Sequence, residues 1–264
     1  MQKLTVKDIF DAKGKRQLTE LLVATEDEAR AAEEAGIDML ITMSGDMLKD
    51  VRKGARNTFI TAGIGYGHVA SATEAMRQGF QAIRDGADAV YLCGSPEWVA
   101  GMAREGIPVV SHVGLIPQKC SWTGGFKAVG KTAEEALKVY RDTKAYDEAG
   151  AIGVEMEVVP HQVAAEIAKR VKLCCISMGS GAHCDAQYLF AMDILGSHRG
   201  HIPRHAKVYV DLYSEMERIQ KIRVQAFKDF KQDVETEAFP EPKQVVEIAG
   251  DEFGKFMGLL EKEG

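Results

Sequence analysis

Three residues suited to proton transfer lie near the ends of two predicted strands. His112 follows the β-branched run Val109-Val110-Ser111, and Glu155 and Glu157 close an apolar run. Because side chains alternate along a strand, the two acids point the same way, which is costly in an apolar strand unless they are solvated, paired or used. We predict that Glu157 is a general acid or base beside His112. The alternative is structural, with the acids as a polar plug or salt bridge and His112 capping a loop.

Other polar and glycine residues follow the remaining predicted strands, and parallel strands bring their carboxyl ends to one face. Ser180 lies in a glycine-rich turn that could hold an anion, although a plain turn explains it equally well. Cys93 is a candidate nucleophile, but a buried cysteine is more often packing. With Glu155, the predicted substrate-binding residues are Ser44, Gly45, Asp46, Tyr91, Cys93 and Ser180.

The elements that position these residues alternate along the chain. The strands are continuous apolar runs, which indicates a parallel sheet covered on both faces, and the 264 residues suit eight β/α units. We predict an α/β protein with a (β/α)8 TIM barrel. It is expected to be a single domain over 1–264, with an N-terminal lead-in (1–16) and a C-terminal helical extension (211–264). The final units are predicted as a helix from Asp185 to Leu195 and an eighth strand from Lys207 to Val210.

Composition excludes several classes of protein. The net charge of −6 argues against nucleic acid as a partner. No apolar run approaches the roughly 20 residues that span a bilayer, and the N-terminus has no signal-peptide core. The five cysteines lack Cys-x-x-Cys spacing, which favours a reduced, cytoplasmic protein over a disulfide framework or a zinc site.

Several longer stretches are more specific. They are Pro108 to Gln118 (PVVSHVGLIPQ), Gly124 to Gly130 (GGFKAVG), Glu155 to Pro160 (EMEVVP), Ile176 to Gly181 (ISMGSG), Met192 to Gly196 (MDILG) and Gly200 to Lys207 (GHIPRHAK). Through them the chain resembles the ketopantoate hydroxymethyltransferase (3-methyl-2-oxobutanoate hydroxymethyltransferase) family, from about Gln17 to Tyr209. The resemblance implies a (β/α)8 barrel of the phosphoenolpyruvate/pyruvate superfamily and a homo-oligomer.

The same resemblance implies a reaction and its participants. The family transfers a hydroxymethyl group from methylenetetrahydrofolate to an α-keto acid in pantothenate biosynthesis, with Mg²⁺ holding the keto acid. Its histidine corresponds to His112 and its catalytic glutamate to Glu157.

The positions that hold the metal in the family differ in this sequence. The first metal carboxylate corresponds to Asp46 if two residues are inserted, and to Ser44 without that gap. The second corresponds to Gly63, and the family's Lys-x-Glu becomes Tyr91-Leu92-Cys93. Glycine has no side-chain ligand and a neutral cysteine is a poor Mg²⁺ ligand. Asp46 is therefore the one metal ligand predicted.

Two other functions remain open at this point. The replaced positions are also compatible with a C–C lyase or hydratase of the same superfamily that acts on another keto acid without the usual Mg²⁺ site. A non-catalytic, ligand-binding relative is the third possibility.

Overall fold

The structure is a computed structural model that describes residues 3–263, and its centre is a closed barrel of eight parallel strands in chain order. The (β/α)8 prediction is confirmed. The strands are β1 (Leu18–Leu22), β2 (Met39–Met43), β3 (Phe59–Gly63), β4 (Ala89–Tyr91), β5 (Val109–Gly114), β6 (Gly153–Glu157), β7 (Cys174–Met178) and β8 (Ala186–Phe190).

Helices connect most of the strands, and several begin at side chains that accept a backbone N–H. Thr25, Ser71 and Thr132 cap their helices in this way. The helices are α1 (Val6–Ala12), α2 (Glu26–Ala35), α3 (Asp46–Gly54), α4 (Ala72–Arg84), α5 (Pro96–Arg104), α6 (Cys120–Thr123), α7 (Ala133–Glu148), α8 (His161–Ala168), α9 (Ala191–Ile194), α10 (Leu212–Glu235) and α11 (Glu252–Glu263).

Strand alternation divides the apolar residues into two layers. One set, which includes Leu40, Ile60 and Val90, packs against the surrounding helices. The alternate set, which includes Ile41 and Val110, packs inside the barrel. Along the strands, the apolar residues of the second set come before the polar positions. The apolar interior of the barrel therefore lies directly below the polar groups at its carboxyl end.

The last β/α unit differs from the sequence prediction. The eighth strand is β8, within the stretch from Asp185 to Leu195 predicted as a helix, and residues 207–210 have no regular structure. The predicted helix is wrong over β8 and is confirmed only at α9 (Ala191–Ile194), and the predicted strand Lys207 to Val210 is wrong. A short apolar run does not distinguish strand from helix, and pairing with β1 and β7 closes the barrel only if this run is extended.

The chain forms two compact units, Met1–Asp211 and Leu212–Gly264. The second consists of α10, a short 3₁₀ turn at Pro242–Gln244 and α11, and none of the residues in its helices is buried. Whether the chain is one domain with a C-terminal extension stays a prediction. None of the helices described is long and apolar enough to cross a membrane. Each cysteine is free: Cys93, Cys120, Cys174, Cys175 and Cys184.

Gly114 fixes the approach of β5 to β6 at the end that carries His112 and Glu157. It has φ +86°, and an added Cβ would lie 2.4 Å from the Glu157 carbonyl oxygen. The residue pairs with Glu157 across the two strands. Glycine is therefore required there both by backbone conformation and by space.

Replacing Gly114 tests this requirement. We expect Gly114→Ala to lower the free energy of unfolding by more than the roughly 1–2 kcal/mol of a left-handed alanine, because the Cβ also collides with backbone. Gly106→Ala is the matched control, with φ +79° and nothing within 4 Å of its added Cβ. Urea unfolding of both variants gives the comparison. Equal losses of unfolding free energy in the two variants would show that the close approach of Gly114 to Glu157 does not contribute to the effect.

Candidate active site

His112 lies between two carboxylates at the carboxyl ends of β5 and β6. Its Nδ1 is 3.2 Å from Glu155 Oε2, and its Nε2 is 3.2 Å from Glu157 Oε2. Nδ1 also lies 2.8 Å from the Tyr91 hydroxyl, and Nε2 lies 2.8 Å from the Leu115 carbonyl oxygen. The histidine is only 3% exposed. The structure thus brings together the predicted acid–histidine pair and one predicted substrate-binding tyrosine.

The contacts of His112 favour a protonated ring. A carbonyl oxygen only accepts, so Nε2 carries a hydrogen and donates it to Leu115. Burial opposes the charged ring, but hydrogen bonding and charge from Glu155 and Glu157 outweigh burial and raise the pKa of His112 to about 9. Near neutral pH the ring is therefore an imidazolium, which donates from both nitrogens.

One further carboxyl group, that of Glu20, extends the cluster of Glu157, His112 and Glu155 into the barrel. Glu20 on β1 is buried, and desolvation followed by the charge of Glu155 raises its pKa well above the ordinary value. Desolvation also raises the pKa of Glu155, with His112 acting in the opposite direction. Glu20 Oε2 and Glu155 Oε1 have no hydrogen-bond partner among the described residues. Glu20 therefore holds a proton more readily than an exposed acid does.

A cavity of about 550 Å³ opens above this cluster. Tyr91, His112, Glu155 and Glu157 line it together with apolar side chains from other strands, among them Ile41 and Phe190, and those of Leu22, Met43, Met178 and Leu189. A concave site with few polar groups in an apolar wall is typical of small-molecule binding.

The end of β6 is held in an unusual backbone conformation. Val158, directly after Glu157, has φ +49°, which is rare for a β-branched residue. Its N–H donates to the Met178 carbonyl oxygen, and its own carbonyl oxygen accepts from Val129. Ser180 hydrogen-bonds to the backbone of Met156, so the strand end is fixed from two sides. Strained residues of this kind cluster at functional sites.

The other predicted site residues lie elsewhere. Ser44, Gly45 and Asp46 form the turn into α3 and do not line the cavity; the Asp46 side chain is 95% exposed and pairs with Lys49. Cys93 lines a separate cavity beneath the loops after β3 and β4. The substrate-binding roles of Ser44, Gly45, Asp46 and Cys93 stay predictions, and the positions of these residues outside the cavity do not support them.

Ser180 also lies outside the cavity. Its hydroxyl donates to the Met156 carbonyl oxygen at 2.7 Å and accepts from the Val159 N–H at 2.9 Å. No helix begins after this turn, because β8 follows it directly. The geometry supports the plain-turn alternative, and an anion-binding role stays a prediction.

Two cationic residues in the cavity lining were not among the predicted site residues. Lys127 comes from the loop after β5, and Arg204 comes from the segment after α9; neither forms an ion pair with any residue in 3–263. His201 and His205 accompany Arg204. Both cations lie in stretches that carry the family resemblance, Gly124 to Gly130 and Gly200 to Lys207. Because these stretches have no regular secondary structure, the sequence did not indicate that their side chains reach the cavity.

The residues present do not fit a divalent cation. Gly63 has no side chain, and burial raises the pKa of the Cys93 thiol. The Asp46 carboxylate is exposed and paired. Both nitrogens of His112 are engaged as donors, which leaves no lone pair for a metal. Within 3–263, no group of three or more His, Cys, Asp and Glu side chains is suited to holding a metal ion.

The closed parallel barrel and the titratable cluster at the carboxyl ends of its strands define a (β/α)8-barrel enzyme scaffold. A family model described as ketopantoate hydroxymethyltransferase matches residues 40–242. The chain belongs to the ketopantoate hydroxymethyltransferase family.

Individual relatives agree with this membership. The 3-methyl-2-oxobutanoate hydroxymethyltransferase of Kosmotoga olearia is 31% identical over 272 residues, which cover 94% of this chain and 99% of that protein. The protein of the same name from Thermus thermophilus is 36% identical over 233 residues, covering 78% of this chain and 88% of the relative.

Solved structures share the fold at low identity. Phosphonopyruvate hydrolase in complex with oxalate and Mg²⁺ superposes with a TM-score of 0.55 at 14% identity, covering 96% of this chain and 97% of that one. A 2,3-dimethylmalate lyase, described as a member of the PEP mutase/isocitrate lyase superfamily, gives 0.52 at 13% identity, with coverage of 98% and 97%.

The raised pKa of His112 predicts how stability depends on pH. The pKa is about 9 in the folded protein against an ordinary 6.5, so the stabilisation is complete below about pH 6.5 and is lost as pH rises through 9. The raised pKa values of Glu20 and Glu155 act in the same direction, since the folded chain keeps protons that the unfolded chain releases.

We therefore expect the urea midpoint of the wild type to fall between pH 6.5 and 9.5, and to fall less in His112→Gln. Tyr91, on β4, and Tyr188, on β8, also border the cluster, and burial raises the pKa of both phenols well above the ordinary value, so they stay neutral over this range. An equal fall in both proteins would contradict the assignment of a charged His112.

Proposed function

We propose that the protein is a hydroxymethyltransferase that removes the C3 proton of 3-methyl-2-oxobutanoate and adds a one-carbon unit from methylenetetrahydrofolate, as in pantothenate biosynthesis. The observation that carries this proposal is the Glu157–His112–Glu155 cluster lining an apolar cavity. Family membership supports the choice of reaction.

Glu157 is the base in this proposal. It lies at the mouth end of β6, lines the cavity and sits beside the His112 ring. The C3–H bond breaks toward its carboxylate, and the electron pair forms a C2–C3 double bond while the keto oxygen becomes an enolate. C3 then attacks the methylene carbon of the co-substrate as the bond from that carbon to one folate nitrogen breaks. Water adds its oxygen to the same carbon as the bond to the second folate nitrogen breaks. The proton held by Glu157 and one proton of the water end on the two nitrogens of the released tetrahydrofolate.

The cavity wall supports a branched aliphatic substrate. Leu22, Met43, Met178 and Phe190 line it, and burial of methyl groups against such side chains is favourable by about 0.8 kcal/mol for each buried CH₂. The isopropyl group of 3-methyl-2-oxobutanoate suits these surfaces better than a charged or hydroxylated side chain would.

The substrate carboxylate needs a cationic partner, and Lys127 and Arg204 provide candidates. Both line the cavity, and neither forms an ion pair with a described residue. Arginine binds a carboxylate through two parallel N–H donors, which fixes orientation as well as charge. We propose that Arg204 binds the substrate carboxylate and that Lys127 lies on the same side of the site.

A second candidate is a C–C lyase or hydratase that acts on another keto acid. The observation that favours it is the set of residues Gly63, Tyr91 and Cys93, which do not hold a metal. Both candidates begin with a keto acid beside Glu157 and differ in the step that follows. Transfer of the one-carbon unit therefore distinguishes them.

We also propose a homo-oligomer acting in the cytoplasm. Helices α10 and α11 expose large apolar side chains such as Phe227, Phe230 and Leu259, which a second copy of the chain would cover. The free cysteines favour a reducing compartment.

Hydrogen exchange at C3 of the keto acid tests whether Glu157 acts as the base. We expect the wild type to exchange the C3 proton of 3-methyl-2-oxobutanoate with D₂O, and Glu157→Gln to lose about 100-fold or more in kcat, since a positioned general base contributes about 10²–10⁴-fold. Proton NMR measures the exchange, and Glu34→Gln on the exposed face of α2 is the matched control.

Two outcomes would contradict the proposal in different ways. Absence of exchange in the wild type would show that the protein does not enolise this keto acid. Exchange without formation of a hydroxymethyl product in the presence of methylenetetrahydrofolate would favour the second candidate.

Arg204→Gln tests the carboxylate contact. We expect KM for the keto acid to rise about tenfold or more with kcat little changed, because a charge-assisted contact contributes about 1.5–3 kcal/mol and is made equally before and during reaction. Steady-state exchange rates over a range of keto-acid concentrations measure both constants. An unchanged KM would show that the carboxylate binds elsewhere.

A further inference from the structure

The cavity contains one hydroxyl group that contacts the charged ring and is still able to donate. Tyr91 Oη lies 2.8 Å from His112 Nδ1, and His112 is its only hydrogen-bond partner in the described part of the chain. We propose that Tyr91 donates a hydrogen bond to the enolate oxygen of the bound keto acid in place of a divalent cation, with His112 as the positioning residue behind it. This inference rests on the proposed function.

The direction of the hydrogen bonds makes Tyr91 a donor toward the cavity. Nδ1 of the imidazolium donates, so Tyr91 Oη accepts and its own hydrogen remains for another partner. Burial, followed by the charge of Glu155, raises the pKa of Tyr91 well above its ordinary value. The side chain is therefore a neutral phenol under working conditions, and a neutral phenol keeps the hydrogen that the enolate oxygen needs.

Gly63 leaves part of the cavity wall without a side chain on the strand next to Tyr91. Gly63 pairs with Tyr91 across β3 and β4, and both line the cavity. A Cβ on Gly63 would lie 3.3 Å from Met43 Sδ and 3.4 Å from the Thr42 carbonyl oxygen, so a side chain would fill this corner. The absence of a side chain at Gly63 leaves this part of the cavity open to the substrate.

The total charge around His112 stays constant during the proposed reaction. Before reaction, the imidazolium faces Glu155 near Nδ1 and Glu157 near Nε2. Proton removal neutralises Glu157 and creates a negative charge on the enolate oxygen, next to Tyr91 on the other side of the same ring. The total charge near the imidazolium is unchanged, so no additional cation is required to compensate it. Tyr91 keeps its proton, because the step needs a hydrogen bond and no second proton transfer.

Oxalate, a planar dianion that resembles the enolate of an α-keto acid, is the probe. We expect calorimetry to show the same oxalate affinity in EDTA and in Mg²⁺, and C3 exchange to proceed at the same rate in both. Tyr91→Phe should lower kcat for exchange by about 100-fold, the usual effect of removing one oxyanion donor, with little change in KM. Tyr140→Phe on α7, away from the cavity, is the matched control.

His112→Gln gives the corresponding test of the positioning residue. A loss of kcat with unchanged KM and an unchanged far-UV circular dichroism spectrum supports its action through Tyr91. A rise in KM with loss of folded protein would show a purely structural role and overturn this part of the inference.

The remaining outcomes separate the inference from the proposed function. Oxalate binding and exchange that require Mg²⁺ would overturn the inference and leave the proposed function in place. Wild-type exchange rates in Tyr91→Phe would also overturn it. Absence of both binding and exchange under either condition would overturn the inference and the proposed function together.

Discussion

A single buried imidazolium organises the site of this protein. His112 lies among apolar strands, where an isolated charge would be prohibitively costly, and it is retained because carboxylates lie 3.2 Å from each ring nitrogen. The same contacts hold Glu157 at the cavity and leave the Tyr91 hydroxyl with a hydrogen to donate. Removing any one member leaves an uncompensated charge or an unpaired donor, so the cluster acts as a unit.

The barrel makes this cluster possible through strand register. His112 and Glu155 are opposite one another on β5 and β6, and Gly114 is opposite Glu157. The glycine lets the two strand ends approach closely, and the Leu115 N–H donates to the Glu157 carbonyl oxygen at 2.9 Å. A close backbone contact therefore limits the distance between Glu157 and His112, which otherwise would depend on two flexible side chains.

The chain belongs to the ketopantoate hydroxymethyltransferase family, but the described residues around its cavity do not form a metal site. Glu157 and His112 lie side by side at the cavity, whereas Gly63 has no side-chain ligand and Cys93 lines a separate cavity. In the reaction proposed above, negative charge moves from Glu157 to the enolate oxygen and stays beside the charged ring of His112.

The sequence by itself determined the fold class, the first seven strands with the main helices between them, and the pairing of Glu157 with His112. Capped helices, continuous apolar strands and period-two alternation are local patterns, and parallel strands necessarily bring their carboxyl ends together. Only the tertiary structure decided which residues share the cavity. It placed Asp46 and Cys93 outside, added Lys127 and Arg204 from loops, and made β8 of a run with helix-like composition. Those outcomes depend on barrel closure and on contacts between residues far apart in the chain, and local sequence patterns carry no information about either.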